Sequence, residues 1–244
     1  MLKKKSLGQH FLNAQSYLRA VADAADIQAG EHVLEIGPGE GALTAVLLER
    51  GAHVIAIEKD PRLIPLLKEK FSGKKFEVVE GDALEFTVDG AHQQYKVVGN
   101  IPYYITGALL KKFLSGEVQP SALVFLVQKE VAERIARSTK ESILSLSVKA
   151  YGEPTYIKTV PAGAFSPPPK VDSAILRVTG VSRKNFADKQ HEARFFELLK
   201  KGFGQKRKLL KSNLKPLLGE RAEALGAVRA EDISLQQWLE LSHD

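Results

Sequence analysis

The chain has no cysteine. That excludes a disulfide scaffold, a thiolate zinc site and a cysteine nucleophile, and it suits a reducing compartment. No apolar run approaches the roughly 18 residues that a membrane-spanning helix needs, so no membrane partner is expected. Behind the basic start Met1-Leu2-Lys3-Lys4-Lys5 there is no apolar stretch of the kind a secretory leader carries. The expected location is the cytoplasm. No internal repeat or low-complexity tract stands out, and no metal site is expected.

What is present allows one large domain, or a domain with a small appendage: 244 residues, 44% of them hydrophobic. The net charge of +6 points to a polyanionic partner. That charge is unevenly spread. The first twenty residues hold Lys3, Lys4, Lys5 and Arg19 and no acid. Residues 181–215 hold eleven bases against three acids, and the long stretch between these two segments is close to neutral. A solvated helix face explains one such run. Two runs flanking a nucleic-acid site read as contacts to phosphate.

Short apolar strands at 32–36, 53–57, 76–80, 95–99 and 122–127 alternate with helical segments at 42–50, 60–71, 105–114 and 129–137. A first helix is expected at 16–25, with Ser16 as a possible cap, and Asp60 is expected to cap the helix that Pro61 opens. Alternation at this spacing predicts βαβ units and a mostly parallel sheet covered on both faces. Two further strands are expected at 154–160 and 171–178, joined by a rigid Pro-rich loop. From about 189, Phe195, Phe196, Leu199 and Phe203 recur at helical spacing and strand signals stop. The expected division is an α/β cofactor-binding domain over 1–180 and a small helical domain over 181–244.

Ligands of open α/β sheets bind beyond the carboxyl ends of the strands. Four predicted strand ends here carry ligand-binding residue types: the segment from Glu35 to Gly41, then Glu58, Asp82 and Asn100. Gly37, Gly39 and Gly41 let backbone come close to a ligand and turn into a helix. Glu58, roughly twenty residues beyond the first glycine, is placed to accept both hydroxyls of a ribose. Asp82 can accept from an adenine amino group. The G-x-G-x-x-G of a nicotinamide site is absent; the loop reads G-x-G-x-G with Pro38 inside it. Glu-x-Gly-x-Gly-x-Gly, a later Glu and then Gly81-Asp82-Ala83 resembles the class I S-adenosylmethionine (SAM) methyltransferases.

Asn100-Ile101-Pro102-Tyr103-Tyr104 suggests the reaction. An exocyclic aromatic amine is a poor nucleophile because its lone pair is delocalised into the ring. Acceptors such as the Asn100 side-chain oxygen and the Ile101 carbonyl can orient that lone pair and favour a tetrahedral nitrogen. Pro102 fixes the turn, and Tyr103 offers a face for a flipped base. The segment matches the signature of methyltransferases that act on exocyclic amino groups. With Tyr104-Ile105-Thr106 it resembles the rRNA adenine dimethyltransferases, a family that includes the bacterial KsgA/RsmA enzymes and the antibiotic-resistance Erm enzymes.

The resemblance spans nearly the whole chain. Lys5-Ser6-Leu7-Gly8-Gln9-His10-Phe11-Leu12 is similar to the family's G-Q-x-F-L motif, which implies SAM contacts from His10 and Leu12; His10 stands where several members have Asn. Phe165-Ser166-Pro167-Pro168-Pro169-Lys170-Val171-Asp172-Ser173 is similar to F-x-P-x-P-x-V-x-S, which implies that Phe165 covers the second face of the base. Phe203 to Leu214 is similar to a basic F-x-x-R-R-K-x-x-x-N-x-L stretch, which implies RNA contacts from Lys206, Arg207, Lys208 and Lys211. Lys206 replaces the usual Arg, keeping charge but losing planar bidentate geometry.

The resemblance implies a class I fold, SAM as cofactor held by His10, Leu12, Gly37, Gly39, Glu58, Asp82, Ala83 and Asn100, and a reacting site of Asn100, Ile101, Pro102, Tyr103 and Phe165. It implies a monomer that dimethylates two adjacent adenosines in the 3′-terminal hairpin loop of 16S rRNA, in an immature 30S subunit. Two rival readings are an Erm-type enzyme acting on a 23S adenine and a mainly non-catalytic assembly factor. A nicotinamide oxidoreductase is more distant.

Overall fold

The computed structural model describes residues 10–88 and 94–243; Lys3, Lys4 and Lys5 lie outside them. In chain order the elements are β1 (Phe11–Leu12), α1 (Gln15–Ala24), β2 (His32–Ile36), α2 (Ala42–Glu49), β3 (His53–Glu58), α3 (Ile64–Lys70), β4 (Phe76–Glu80), β5 (Tyr95–Asn100), α4 (Thr106–Ser115), β6 (Ala122–Gln128), α5 (Lys129–Ala136), α6 (Ile143–Tyr151), β7 (Glu153–Val160), β8 (Phe165–Ser166), β9 (Ser173–Thr179), α7 (Lys189–Gly202), α8 (Leu210–Leu218) and α9 (Leu235–Leu241).

Seven strands form one sheet in the order β4-β3-β2-β5-β6-β9-β7. The first five are parallel, and β9 joins antiparallel to both β6 and β7. β6 reads ALVFLVQ and its first six residues are buried, as expected for a central strand covered on both faces. Leu18, Val21, Val46 and Leu47 of α1 and α2 close one face against Val98, Val124 and Leu126. Leu109, Leu110, Ile135 and Leu146 of α4, α5 and α6 close the other against Val97, Leu123 and Phe125. Phe186, Phe195, Leu198 and Trp238 belong to that same second cluster. The C-terminal helices therefore share a core with the α/β body.

Several expected boundaries move. Helix α3 begins at Ile64, and Asp60 does not cap it. The Asp60 backbone N–H is taken by Glu58 and its carboxylate by Arg62, which commits the intervening residues to a turn. Helix α1 begins at Gln15 after Ala14, with no side-chain cap. Helix α6 has no counterpart among the expected elements. Its sequence ILSLSVKAY alternates apolar and polar residues as a strand does, and a reciprocal Ser142–Ser145 capping box starts it as a helix.

Chain order reverses between β2 and β5. From β2 the chain runs outward through β3 and β4, then returns to the other side of β2 as β5. The crevice beyond the carboxyl ends at such a point is the general ligand site of this architecture. The loop after β2 is Gly37–Gly41 and β5 ends at Asn100, so both motifs meet there.

Candidate active site

A cleft of about 230 Å³ opens at this point, with Gly37, Gly39, Glu58, Asp82, Ala83 and Pro102 in its wall. His10, Phe11, Ile36, Ile57, Lys59 and Tyr104 also line it. The close approach of β2 and β5 beneath it depends on Gly99, where a Cβ would lie 2.8 Å from the Ile36 carbonyl oxygen.

Glu58 ends β3 and is buried. One of its oxygens accepts from the Gly39 N–H at 3.1 Å and the other from the Asp60 N–H at 2.8 Å. Burial raises its carboxyl above the ordinary range, and those two donors oppose the shift. The glycine loop and the acid that follows it thus form one hydrogen-bonded unit. Behind the loop, Glu35 is wholly buried and accepts from the Thr44 hydroxyl at 2.6 Å. Burial pushes its pKa up to about 7; the Thr44 bond opposes that and the nearby Glu58 charge adds to it.

Asp82 follows β4. Its Oδ2 pairs with the Lys59 ammonium at 2.6 Å, and its Oδ1 accepts from the Leu84 N–H at 2.9 Å. The Lys59 bond first, then the backbone donor, hold Asp82 below the usual carboxylate range. Asp82 is therefore ionised at neutral pH and presents acceptors to the cleft.

At the other side, the Asn100 Nδ2 donates to the His10 carbonyl at 2.7 Å. That bond fixes the amide orientation and leaves Oδ1 as the acceptor end, with no partner among the described residues. His10 is held in turn by a 2.8 Å bond between Nδ1 and the Pro167 carbonyl. Its ring lies near-parallel to Tyr103, with centroids 6.3 Å apart. The Tyr103 hydroxyl bonds the Ser173 hydroxyl at 2.7 Å. Burial raises the Tyr103 pKa, so it remains a neutral phenol.

The structure brings His10, Gly37, Gly39, Glu58, Asp82, Ala83, Asn100, Pro102 and Tyr103 together. Ile101 is buried beneath the turn. The Leu12 side chain is 3% exposed and packs into the core while its neighbour Phe11 lines the cleft, which leaves the Leu12 backbone for any cofactor contact. One expectation needs correction. Phe165 is 4% exposed and sits in that same core opposite Leu12 in the β1–β8 pair, so its ring is not presented to a base. An apolar pair across two short strands buries itself, and it serves to dock the His10 segment on the Pro-rich loop. Tyr104, 71% exposed at the mouth, is the freer aromatic face.

Sequence reasoning misses Phe11, Lys59 and Tyr104. Tyr104 lies inside the Asn100 motif, where the signature assigns it no role. Nothing local signals that Lys59 pairs with Asp82, since β3 and β4 bring them together.

Lys206, Arg207 and Lys208 are exposed in the turn between α7 and α8, rather than on a helix face, and form no ion pair among the described residues. The Asn213 amide clamps that turn through bonds to the Gly202 and Gln205 carbonyls, at 2.6 and 3.1 Å. Lys211 differs: it is paired with Glu223 at 2.9 Å. Among the described residues, no helix is long and apolar enough to cross a membrane.

Known proteins resemble this chain in sequence and in fold. The chain is 41% identical to the ribosomal RNA small subunit methyltransferase A of Dehalococcoides mccartyi strain CBDB1, across 98% of this chain and 87% of that protein. It is 39% identical to the enzyme of that name from Caulobacter vibrioides, across 99% and 96%. A dimethyladenosine transferase structure from Plasmodium falciparum superposes with a TM-score of 0.82 at 28% identity, covering 95% of this chain and 96% of that one. The 23S rRNA methyltransferase ErmE superposes with a TM-score of 0.79 at 28% identity, covering 95% and 98%. The fold is that of the class I SAM-dependent methyltransferases. A family model described as ribosomal RNA adenine dimethylase matches residues 1–243, and the chain belongs to that family.

Proposed function

We propose that this protein is a SAM-dependent dimethyltransferase acting, as a cytoplasmic monomer, on the exocyclic N6 of two adjacent adenosines. These lie in the 3′-terminal hairpin loop of 16S rRNA, within an immature small subunit. The observation that carries the reading is the Asn100 amide, locked by His10 with its acceptor end free among the described residues, beside a cleft whose opposite wall is Glu58 and Asp82.

The cleft fits the cofactor. Glycine loop and carboxylates face one space, with Ile57 and Ala83 as apolar wall. Gly39 has a φ of +59°, and a Cβ there would lie 2.6 Å from the Phe11 ring, so the loop is shaped for backbone alone to form that wall. Glu58 would hold ribose hydroxyls, and Asp82 an adenine amino group once Lys59 moves aside. When bound, SAM supplies an electrophilic methyl group.

The chain's own residues prepare the nucleophile. Asn100 Oδ1 and the Ile101 carbonyl accept from the adenine amine and draw its lone pair out of the ring. Tyr103 and Tyr104 offer aromatic surface to the flipped base. No strong general base is required, because the nitrogen becomes acidic once alkylated. We further propose a division near 180, with the helical C-terminal part presenting Lys206, Arg207 and Lys208 to rRNA phosphates.

Two variants check these parts. Gly39→Ala should weaken SAM binding about 5- to 30-fold in calorimetry, since loop strain alone costs roughly 1–2 kcal/mol. The triple change Lys206→Ala, Arg207→Ala, Lys208→Ala should flatten the dependence of log affinity for rRNA on log salt, by about 0.7–0.9 for each phosphate no longer neutralised. An unchanged slope removes these residues from the interface.

The activity itself is tested with radiolabelled SAM and ribosomal particles from cells lacking the gene. Label should enter small-subunit particles. Label confined to large-subunit particles transfers the assignment to the ErmE type of activity, and no label at all favours a binding factor.

A further inference from the structure

Beside the reacting turn lies a second depression, of about 520 Å³, within the roughly 300–1,000 Å³ of small-ligand sites. It contains Gln128, Lys129, Lys170, Val171 and Asp172 among its lining residues. Nothing in the reaction above uses it.

Its position is set by the sheet. Gln128 ends β6 and stands opposite Ser173 of β9 in the antiparallel ladder. Directly paired residues share a face of the sheet. The Ser173 hydroxyl is the group that bonds Tyr103. Gln128 is thus one cross-strand step from the residue that anchors Tyr103. Its amide makes no helix-capping bond and has no hydrogen-bond partner among the described residues. The floor is otherwise rigid: Asp172 accepts from the Ala162 N–H at 2.9 Å, and its carbonyl accepts from the Lys129 N–H at 3.0 Å.

Three carboxylates also line the depression: Glu130 is paired with Arg134, Glu133 approaches Lys129 and Asp172 accepts from the Ala162 N–H. A glutamine amide donates and accepts at once, the pattern that reads the amino and ring-nitrogen edge of adenine. Val171 is 46% exposed and gives apolar surface to a base. Lys170 is exposed and without an ion-pair partner among the described residues, and so is free to meet a phosphate. Lys129 is engaged by Glu133 only at 4.0 Å.

The geometry points to this depression as the subsite for the nucleotide that flanks the target adenosine, with Gln128 reading its base edge. The inference rests on the reading of the protein as an enzyme for two adjacent adenosines. While one adenosine is turned into the cleft, its neighbour is held here, which keeps the pair in register.

The test crosses protein and RNA changes. Methyl transfer is measured on immature small-subunit particles whose 16S rRNA carries either both adenosines or a uridine in place of one. With wild-type protein, kcat/KM at the remaining adenosine should fall about tenfold or more with the uridine. Gln128→Ala and Gln128→Glu should show a similar fall on the natural particle, borne by KM, and no further fall with the uridine. SAM affinity by calorimetry should be unchanged in both variants, which reports that the cofactor site is intact. Unchanged kcat/KM in the variants, or two falls that simply multiply, overturns the subsite while leaving the activity standing. If wild-type protein labels no particle of either kind, the activity itself fails and the subsite with it.

Discussion

Asn100→Ala should lower kcat/KM for methyl transfer to rRNA by about 10²–10³-fold, the loss seen when one preorganised polar group aimed at the reacting atom is removed. The wild-type side chain is oriented before substrate arrives, because its Nδ2 is spent on the His10 carbonyl at 2.7 Å. An alanine removes the acceptor and frees that carbonyl together. Asn100→Asp keeps an acceptor but places a carboxylate against the His10 carbonyl oxygen, so it should recover little. SAM affinity, read separately by calorimetry, should fall by less than kcat/KM in both variants, since Asn100 and the His10 it holds are only part of the cofactor wall and the glycine loop, Glu58 and Asp82 are untouched. Equal incorporation by Asn100→Ala and wild type removes the role assigned to this amide.

Stability should depend on pH through Glu35. Its carboxyl is fully buried and its pKa is raised from 4.5 to about 7. Between those values the folded chain holds a proton that the unfolded chain releases. The contribution of this group is therefore most favourable below about pH 4.5, declines as pH rises to 7, and is flat above. Each tenfold change in proton affinity corresponds to about 1.4 kcal/mol, so the full swing is roughly 3 kcal/mol as an upper figure. Glu35→Gln cannot ionise. In urea titrations the stability difference between variant and parent should move by about 2–3 kcal/mol in the variant's favour from pH 4.5 to pH 8. A constant difference across that range would show that Glu35 is ionised throughout. The absolute difference at either pH also carries the cost of a buried amide that Thr44 only partly satisfies.

The strands of the sheet are legible in the sequence for a simple reason. His32–Ile36 and Phe76–Glu80 have the expected bounds, and His53–Glu58 and Tyr95–Asn100 extend by one residue. Apolar runs ending in Glu, Gly or Asn mark the central strands, covered on both faces, and the edge strand Phe76–Glu80, mostly not buried, is marked by the Gly81 that follows it. The same logic places the cleft, because ligand residues must collect at strand ends. What stays hidden depends on contacts distant in sequence. The β1 and β8 pair is only two residues long on each side, too short for any periodic signal, yet it decides that Phe11 faces the cleft while Leu12 and Phe165 go inward. Helix α6 looks like a strand until the capping box is considered. The Lys59–Asp82 pair and the His10–Asn100 bond are products of sheet order.

The charge pattern is also sharper in three dimensions. Lys206, Arg207 and Lys208 present charge unpaired among the described residues in a clamped turn, whereas Lys211 is matched by Glu223 and Lys140 by Asp232. A basic sequence run therefore overstates the charge that is free for phosphate.

The most direct measurement is a modification map of rRNA by primer extension, in cells with the gene, without it, and with the Asn100→Ala form. The expected result is a block at two adjacent adenosines near the 3′ end of 16S rRNA, present only with the wild-type gene. A block in 23S rRNA instead, or 16S rRNA identical in all three strains, would contradict the assignment.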